Sequence, residues 1–265
     1  MNQFSPDICH EYLLANRRPA LAFDDNNDYT SWKKRVSQKL IELLGDMPEK
    51  KVPLNVRIEW EEENGDFIEK RFVFDTEAYA SVPCHLLIPK KAKKPCPVVV
   101  CLQGHSTGMH ISLGRKKYKR DWEATGGDRN FALQAVEEGY AALTIEQRGF
   151  GERISEKSWI PATREFNEYD RTGCYHPSMV ALLLGRTLIG ERVWDVSRAI
   201  DALEMFDEID MEKVACTGVS GGGTTTYYAA CVEPRIKVAM PACSVCTFVE
   251  SIGIMRHCAC NYLPN

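Results

Sequence analysis

The chain has 265 residues, 44% of them hydrophobic and 26% charged, with a net charge of -4, a length and composition suited to one large globular core. The mild negative charge excludes a general pull toward nucleic acid or anionic membranes. No apolar run approaches a membrane-spanning length and residues 1–7 lack the regions of a signal peptide, so a cytoplasmic protein is expected.

In chain order, residues 1–50 predict an N-terminal helical extension, because Trp32, Val36, Leu40 and Leu43 share one helical face. Such an arm serves as a cap or as a dimer contact, which leaves a homo-oligomer open. The main domain is assigned to residues 51–265. Its first strands alternate: Leu54, Val56, Ile58 and Trp60, a tight turn at Asn64-Gly65, then Phe72 and Phe74, then Val82, Cys84, Leu86 and Ile88. That alternation predicts antiparallel strands with one wet face. From residue 97 the style changes to continuous apolar runs at 98–102, 140–145, 214–217 and 236–242, as in strands of a parallel sheet covered on both faces. Between the first two runs, Asp128 reads as an N-cap, Phe131 to Val136 as a helical face and Gly139 as the C-terminal cap; between the second and third, Val193, Val196, Ile200 and Leu203 form a helical stripe. The fold class is therefore α/β, a doubly wound, mostly parallel sheet with antiparallel N-terminal strands.

Two segments match the pattern G-x-S-x-G: Gly104-His105-Ser106-Thr107-Gly108 and Gly218-Val219-Ser220-Gly221-Gly222. Both follow apolar runs. Only the second leads into a helix-like stretch, Thr224 to Val232, whereas Ser106 is followed by the basic cluster Arg115 to Arg120 with no helical stripe. The strand, sharp turn and helix context that presents a nucleophilic serine thus selects Ser220 over Ser106. The basic cluster reads as a solvated loop face. Eleven cysteines are spread along the chain, many in apolar runs where a reduced thiol packs as a small hydrophobe. The tail holds zinc-ligand types, Cys243-x-x-Cys246 and His257-Cys258-Ala259-Cys260. Their spacing is a poor match to paired zinc ligands, so no metal is expected.

Several segments together resemble the α/β-hydrolases related to acetyl xylan esterases and dienelactone hydrolases: Gln103-Gly104-His105, Glu146 to Gly151, Leu184 through Asp195, Ala199 to Leu203 and Gly218 to Gly223. The resemblance spans residues 80–265 and implies an α/β-hydrolase fold and a small ester substrate, with an acetylated sugar favoured. It implies Ser220 as nucleophile, with the backbone N–H of Gly221 and of Gly104 or His105 as oxyanion donors. His105 then acts through its main chain, since the base in this family follows the nucleophile in sequence. No cofactor is required. The family layout calls for further strands carrying an acid and a histidine, so the chain is expected to be the front portion of a longer hydrolase, without the C-terminal strands and inactive alone. After Ser220, Glu250 and His257 stand in the order acid, histidine; on a helix their seven-residue spacing corresponds to about 10.5 Å of rise, too far for a hydrogen bond. The alternative function is a non-catalytic small-molecule or carbohydrate binding protein on the same scaffold. The loops 106–127 and 152–177, with Trp122, Trp159, Tyr169 and Tyr175, are candidate sugar-lining segments.

Overall fold

The computed structural model describes residues 4–119, 121, 127–155, 173–253, 255 and 257–264. Two helices come first, α1 (Pro6–Asn16) and α2 (Tyr29–Leu44). The Asp28 carboxylate caps α2 by accepting from the Ser31 N–H, and Gly45 ends it at φ 98°, a left-handed angle that glycine adopts without strain. Trp32, Val36, Leu40 and Leu43 are half-buried, as their shared face requires. They lie on the helix that packs against α5 (Leu188–Leu203) and α6 (Gly221–Val232) of the same chain.

Strands β1 (Arg57–Asn64) and β2 (Phe67–Glu77) form the expected hairpin, with Asn64 opposite Phe67 and Gly65 at φ 53° in the turn. β3 (Ala80–Pro89) departs from the expected wet face, being buried on both sides from Val82 onward. One side, with Val82, Cys84, Leu86 and Ile88, enters the main core. On the other, Leu87 packs with Leu113 and with Ala132 and Val136 of α3 (Phe131–Glu137), while His85 is covered by Glu69, Arg71 and Trp60. Alternation along β3 could not report this, because the second layer comes from residues distant in sequence. The N-cap of α3 is Asn130 and not Asp128, which stands outside the helix at φ 53°. The Gln134 amide holds this entry by donating to the Asp128 carbonyl and the Asn130 side chain. Gly139, at φ 85°, follows the helix end as expected.

The remaining strands are β4 (Cys96–Leu102), β5 (Ala141–Ile145), β6 (Ile209–Val219) and β7 (Ile236–Ala242), with α4 (Tyr175–Leu183) and α5 between β5 and β6. They join one seven-stranded sheet in the order β1-β2-β3-β5-β4-β6-β7. Pairing is antiparallel from β1 to β5 and parallel among β5, β4, β6 and β7, so the sheet is mixed, with the antiparallel strands at its N-terminal side as expected. β4 lies beside β6 with Val98 opposite Val214 and Leu102 opposite Gly218. That register brings the chain after Leu102 and the chain after Val219 to the same edge, the carboxyl ends of parallel strands, where ligands of such sheets gather. β7 forms the sheet edge, with Val238 and Met240 more than half exposed. Among the described residues no helix is long and apolar enough to cross a membrane.

Candidate active site

Ser220 is the single residue between β6 and α6, and its backbone stands at φ 54°, ψ -119°. Serine carries a Cβ, so this conformation costs on the order of 1–3 kcal/mol and persists only where the surroundings hold it. They do so through hydrogen bonds. The Ser220 N–H donates to the Ala242 carbonyl of β7 at 2.9 Å, and the Ser220 carbonyl accepts from the Thr224 N–H at 2.8 Å. The glycine at 222 is required by space: a Cβ there would lie 2.2 Å from the Leu102 carbonyl oxygen. The start of α6 can therefore press onto the end of β4, and the turn throws the Ser220 side chain outward, where it is exposed.

The loop after β4 meets this turn. A Cβ on Gly104 would lie 2.7 Å from the Val219 carbonyl oxygen and 3.1 Å from the Ser220 Cβ, so the Gly104 backbone abuts the serine. The His105 ring covers the first residue of α6, close enough that a Cβ on Gly221 would lie 2.7 Å from its Cε1. As the first residue of a helix, Gly221 has an N–H with no intrahelical acceptor. Two glutamines brace the loop. Gln103 donates through Nε2 to the Ser112 hydroxyl and the Arg129 carbonyl; Gln147, just past β5, donates to the Gln103 carbonyl and accepts from the Thr225 hydroxyl of α6. Ser106 leads only to a single helical turn, Met109–Ile111.

Charge is packed tightly behind these loops. Asp195 of α5, fully buried, pairs with Arg148 and Arg153 at 2.9 and 2.6 Å. Burial alone would raise its pKa; the two guanidiniums instead hold it down to about 2. Arg148 also pairs with Glu77 and Glu191. Glu146 is 2% exposed and burial pushes its carboxyl up to about 7, although the N–H groups of Met109 and Glu152 donate to it. These groups hold the segments after β4 and β5 together.

Four further side chains converge here. The ligand atoms of His105, Cys174, Cys258 and Cys260 all lie within 4.8 Å of one another. His105 Nε2 is 3.0 Å from Cys260 Sγ, which is 3.2 Å from Cys258 Sγ. Burial would lower the His105 pKa, but the neighbouring thiols Cys174 and Cys258 raise it to about 9. Cys174 is held far below the usual thiol range by hydrogen bonds from Cys258 and Cys260. The tail signal in the sequence named two of these four residues and paired them with Cys243 and Cys246, which are exposed. The true neighbours, Cys174 and His105, are distant in sequence and carry no spacing signal.

No hydrogen bond joins Glu250 to His257 among the described residues. The Glu250 carboxylate accepts from the Thr247 hydroxyl, and His257 Nδ1 lies 3.3 Å from the Asn261 amide. Among the described residues none hydrogen-bonds the Ser220 hydroxyl. Trp122, Trp159 and Tyr169 lie outside the described residues, and Tyr175 is exposed at the start of α4. Arg115, read as part of a solvated face, instead pairs with the buried Glu69.

The fold has counterparts among solved structures. A structure described as that of an acetyl xylan esterase from Bacteroides fragilis NCTC 9343 aligns with a TM-score of 0.69 at 17% identity, over 89% of this chain and 59% of that one. A glucuronoyl esterase from Solibacter usitatus aligns with a TM-score of 0.58 at 18% identity, over 83% of this chain and 62% of that one. At such identities the likeness is one of fold. In both cases the chain spans less than two thirds of the matched protein's length. In sequence, the chain is 27% identical over 236 residues to YtaP of Bacillus subtilis (strain 168), which bears the name of a hydrolase, covering 86% of this chain and 71% of that protein. A family model described as "Abhydrolase family" matches residues 4–259, nearly the whole chain, and the protein belongs to that α/β-hydrolase family.

Proposed function

We propose that this protein is a serine carboxylic ester hydrolase acting on a small ester, with an acetylated sugar as the favoured substrate class. The observation that carries the reading is the backbone of Ser220, a non-glycine residue held at φ 54° between a strand and a helix with its side chain exposed. Strain of that kind is maintained where a nucleophile must be presented. In the proposed reaction the Ser220 hydroxyl attacks the ester carbonyl carbon. The N–H of Gly221 and that of Gly104 or His105 hold the resulting oxyanion, each donor contributing roughly 3 kcal/mol in the transition state. The alcohol leaves and water hydrolyses the acyl-enzyme. The sugar preference draws on the names of the structural neighbours, acetyl xylan and glucuronoyl esterases.

A base must take the Ser220 proton, and the lack of one bonded to it among the described residues favours the second reading, a binding protein on the same scaffold. One experiment separates them. This chain and the longest natural reading frame containing it are treated with a fluorophosphonate and assayed on a small acetyl ester. Labelling at Ser220 is expected, with turnover that falls by about 10³-fold or more in Ser220→Ala and persists in Ser106→Ala. Turnover that survives Ser220→Ala would overturn the assignment, and binding of acetylated oligosaccharide without turnover in either form would establish the second reading.

A further inference from the structure

Arg192 of α5 is fully buried, yet no carboxylate pairs with it among the described residues. Its Nε and Nη2 donate to the Arg148 carbonyl, its guanidinium lies 4.3 Å from the Phe150 ring centre, and its Nη1 has no hydrogen-bond partner among the described residues. A permanent cation in such a place requires an anion. What it has is sulfur: Nη2 lies 3.2 Å from Cys174 Sγ, one of three thiols gathered there with Cys258 and Cys260. The same three thiols share their space with the His105 imidazole.

Three cysteines cannot all be satisfied by one disulfide, and none is formed here. The set does suit a tetrahedral ion. With zinc–sulfur and zinc–nitrogen bonds of about 2.3 and 2.0 Å, neighbouring ligand atoms of a tetrahedral site stand roughly 3.5–3.8 Å apart. The atoms present, two pairs at 3.0 and 3.2 Å and all within 4.8 Å, bracket that size. Three thiolates, a neutral histidine and a divalent ion sum to one negative charge, which the Arg192 guanidinium balances.

We propose that His105, Cys174, Cys258 and Cys260 bind one zinc ion in a closed Cys₃His site. The ion displaces the thiol protons to solvent, and each of its four positions is taken by protein, which marks a structural rather than a catalytic centre. It ties three segments together: the loop after β4, the N-terminus of α4 and the turn at 258–261. Because the His105 ring lies against Gly221, the ion also fixes the loop that abuts Ser220. The zinc site stands whether or not Ser220 is a nucleophile.

The test is metal analysis of the full chain, expressed with zinc and purified under reducing conditions without chelator. About one zinc per chain is expected, falling below about a tenth in Cys174→Ser and in Cys260→Ser, while Cys243→Ser/Cys246→Ser retains it. Should the serine variants fail to fold, cobalt replacement in the unaltered protein decides. Thiolate-to-cobalt charge-transfer absorption with tetrahedral d–d bands, abolished by adding zinc, supports the site. Zinc below about a tenth per chain together with no cobalt spectrum would overturn it, as would full zinc content in a folded Cys174→Ser protein or a disulfide joining Cys258 and Cys260 in protein made with zinc.

Discussion

Ser220 separates the demands of folding from those of presentation. Its φ of 54° favours glycine, and every hydrogen bond that holds it comes from the backbone of its neighbours or from Thr224. Ser220→Gly should therefore raise unfolding free energy by about 1 kcal/mol, since the strain leaves while those bonds remain. Ser220→Ala, which keeps the Cβ, should leave stability nearly unchanged. Urea denaturation of the two variants checks this, and equal stability would show that the turn carries no strain. This residue was legible in the sequence because the pattern is local: strand, G-x-S-x-G, helix. His105 was legible only in half. Its position after β4 announced the loop that meets the Ser220 turn, but nothing near it in sequence announced that its ring would meet three sulfurs.

Among the elements, helices and strands with one-sided periodicity were readable, and those covered by distant segments were not. α2 showed its face through Trp32, Val36, Leu40 and Leu43, whereas the second buried face of β3 depends on α3 and Leu113, which no alternation within β3 encodes. The seat of α2 depends on one contact that also escapes periodicity. Gly190 of α5 lets the Leu44 carbonyl approach so closely that a Cβ there would lie 2.1 Å from the oxygen. The same carbonyl accepts from the Thr187 hydroxyl at 2.7 Å. Gly190→Ala should push α2 away from α5 and destabilise the protein by about 1–3 kcal/mol, the range of an overpacked core site. Limited proteolysis should then cut between residues 45 and 54 in the variant before it cuts the parent. Identical cleavage and stability would mean that the arm is held by its apolar face alone.

At the scale of the whole molecule, two buried carboxyls with opposite shifts shape the response to pH. Asp195, held down to about 2 by Arg148 and Arg153 against the effect of burial, contributes stability that is complete above its unfolded pKa near 3.8 and is lost as pH falls toward 2. Glu146 behaves in reverse. Burial raises it from 4.5 to about 7, so the folded protein holds a proton that the unfolded chain releases, and stability declines as pH rises from 4.5 to 7 and then levels. The shift corresponds to roughly 3 kcal/mol. Glu146→Gln should remove that decline: the difference in unfolding free energy between variant and parent, followed by urea denaturation, should move by about 2–3 kcal/mol in the variant's favour between pH 4.5 and pH 7.5. Taking the difference cancels Asp195 and every other group the substitution leaves alone. A difference that stays constant across this range would show that Glu146 ionises as freely folded as unfolded, and that the segments after β4 and β5 close around a carboxylate and not a carboxylic acid.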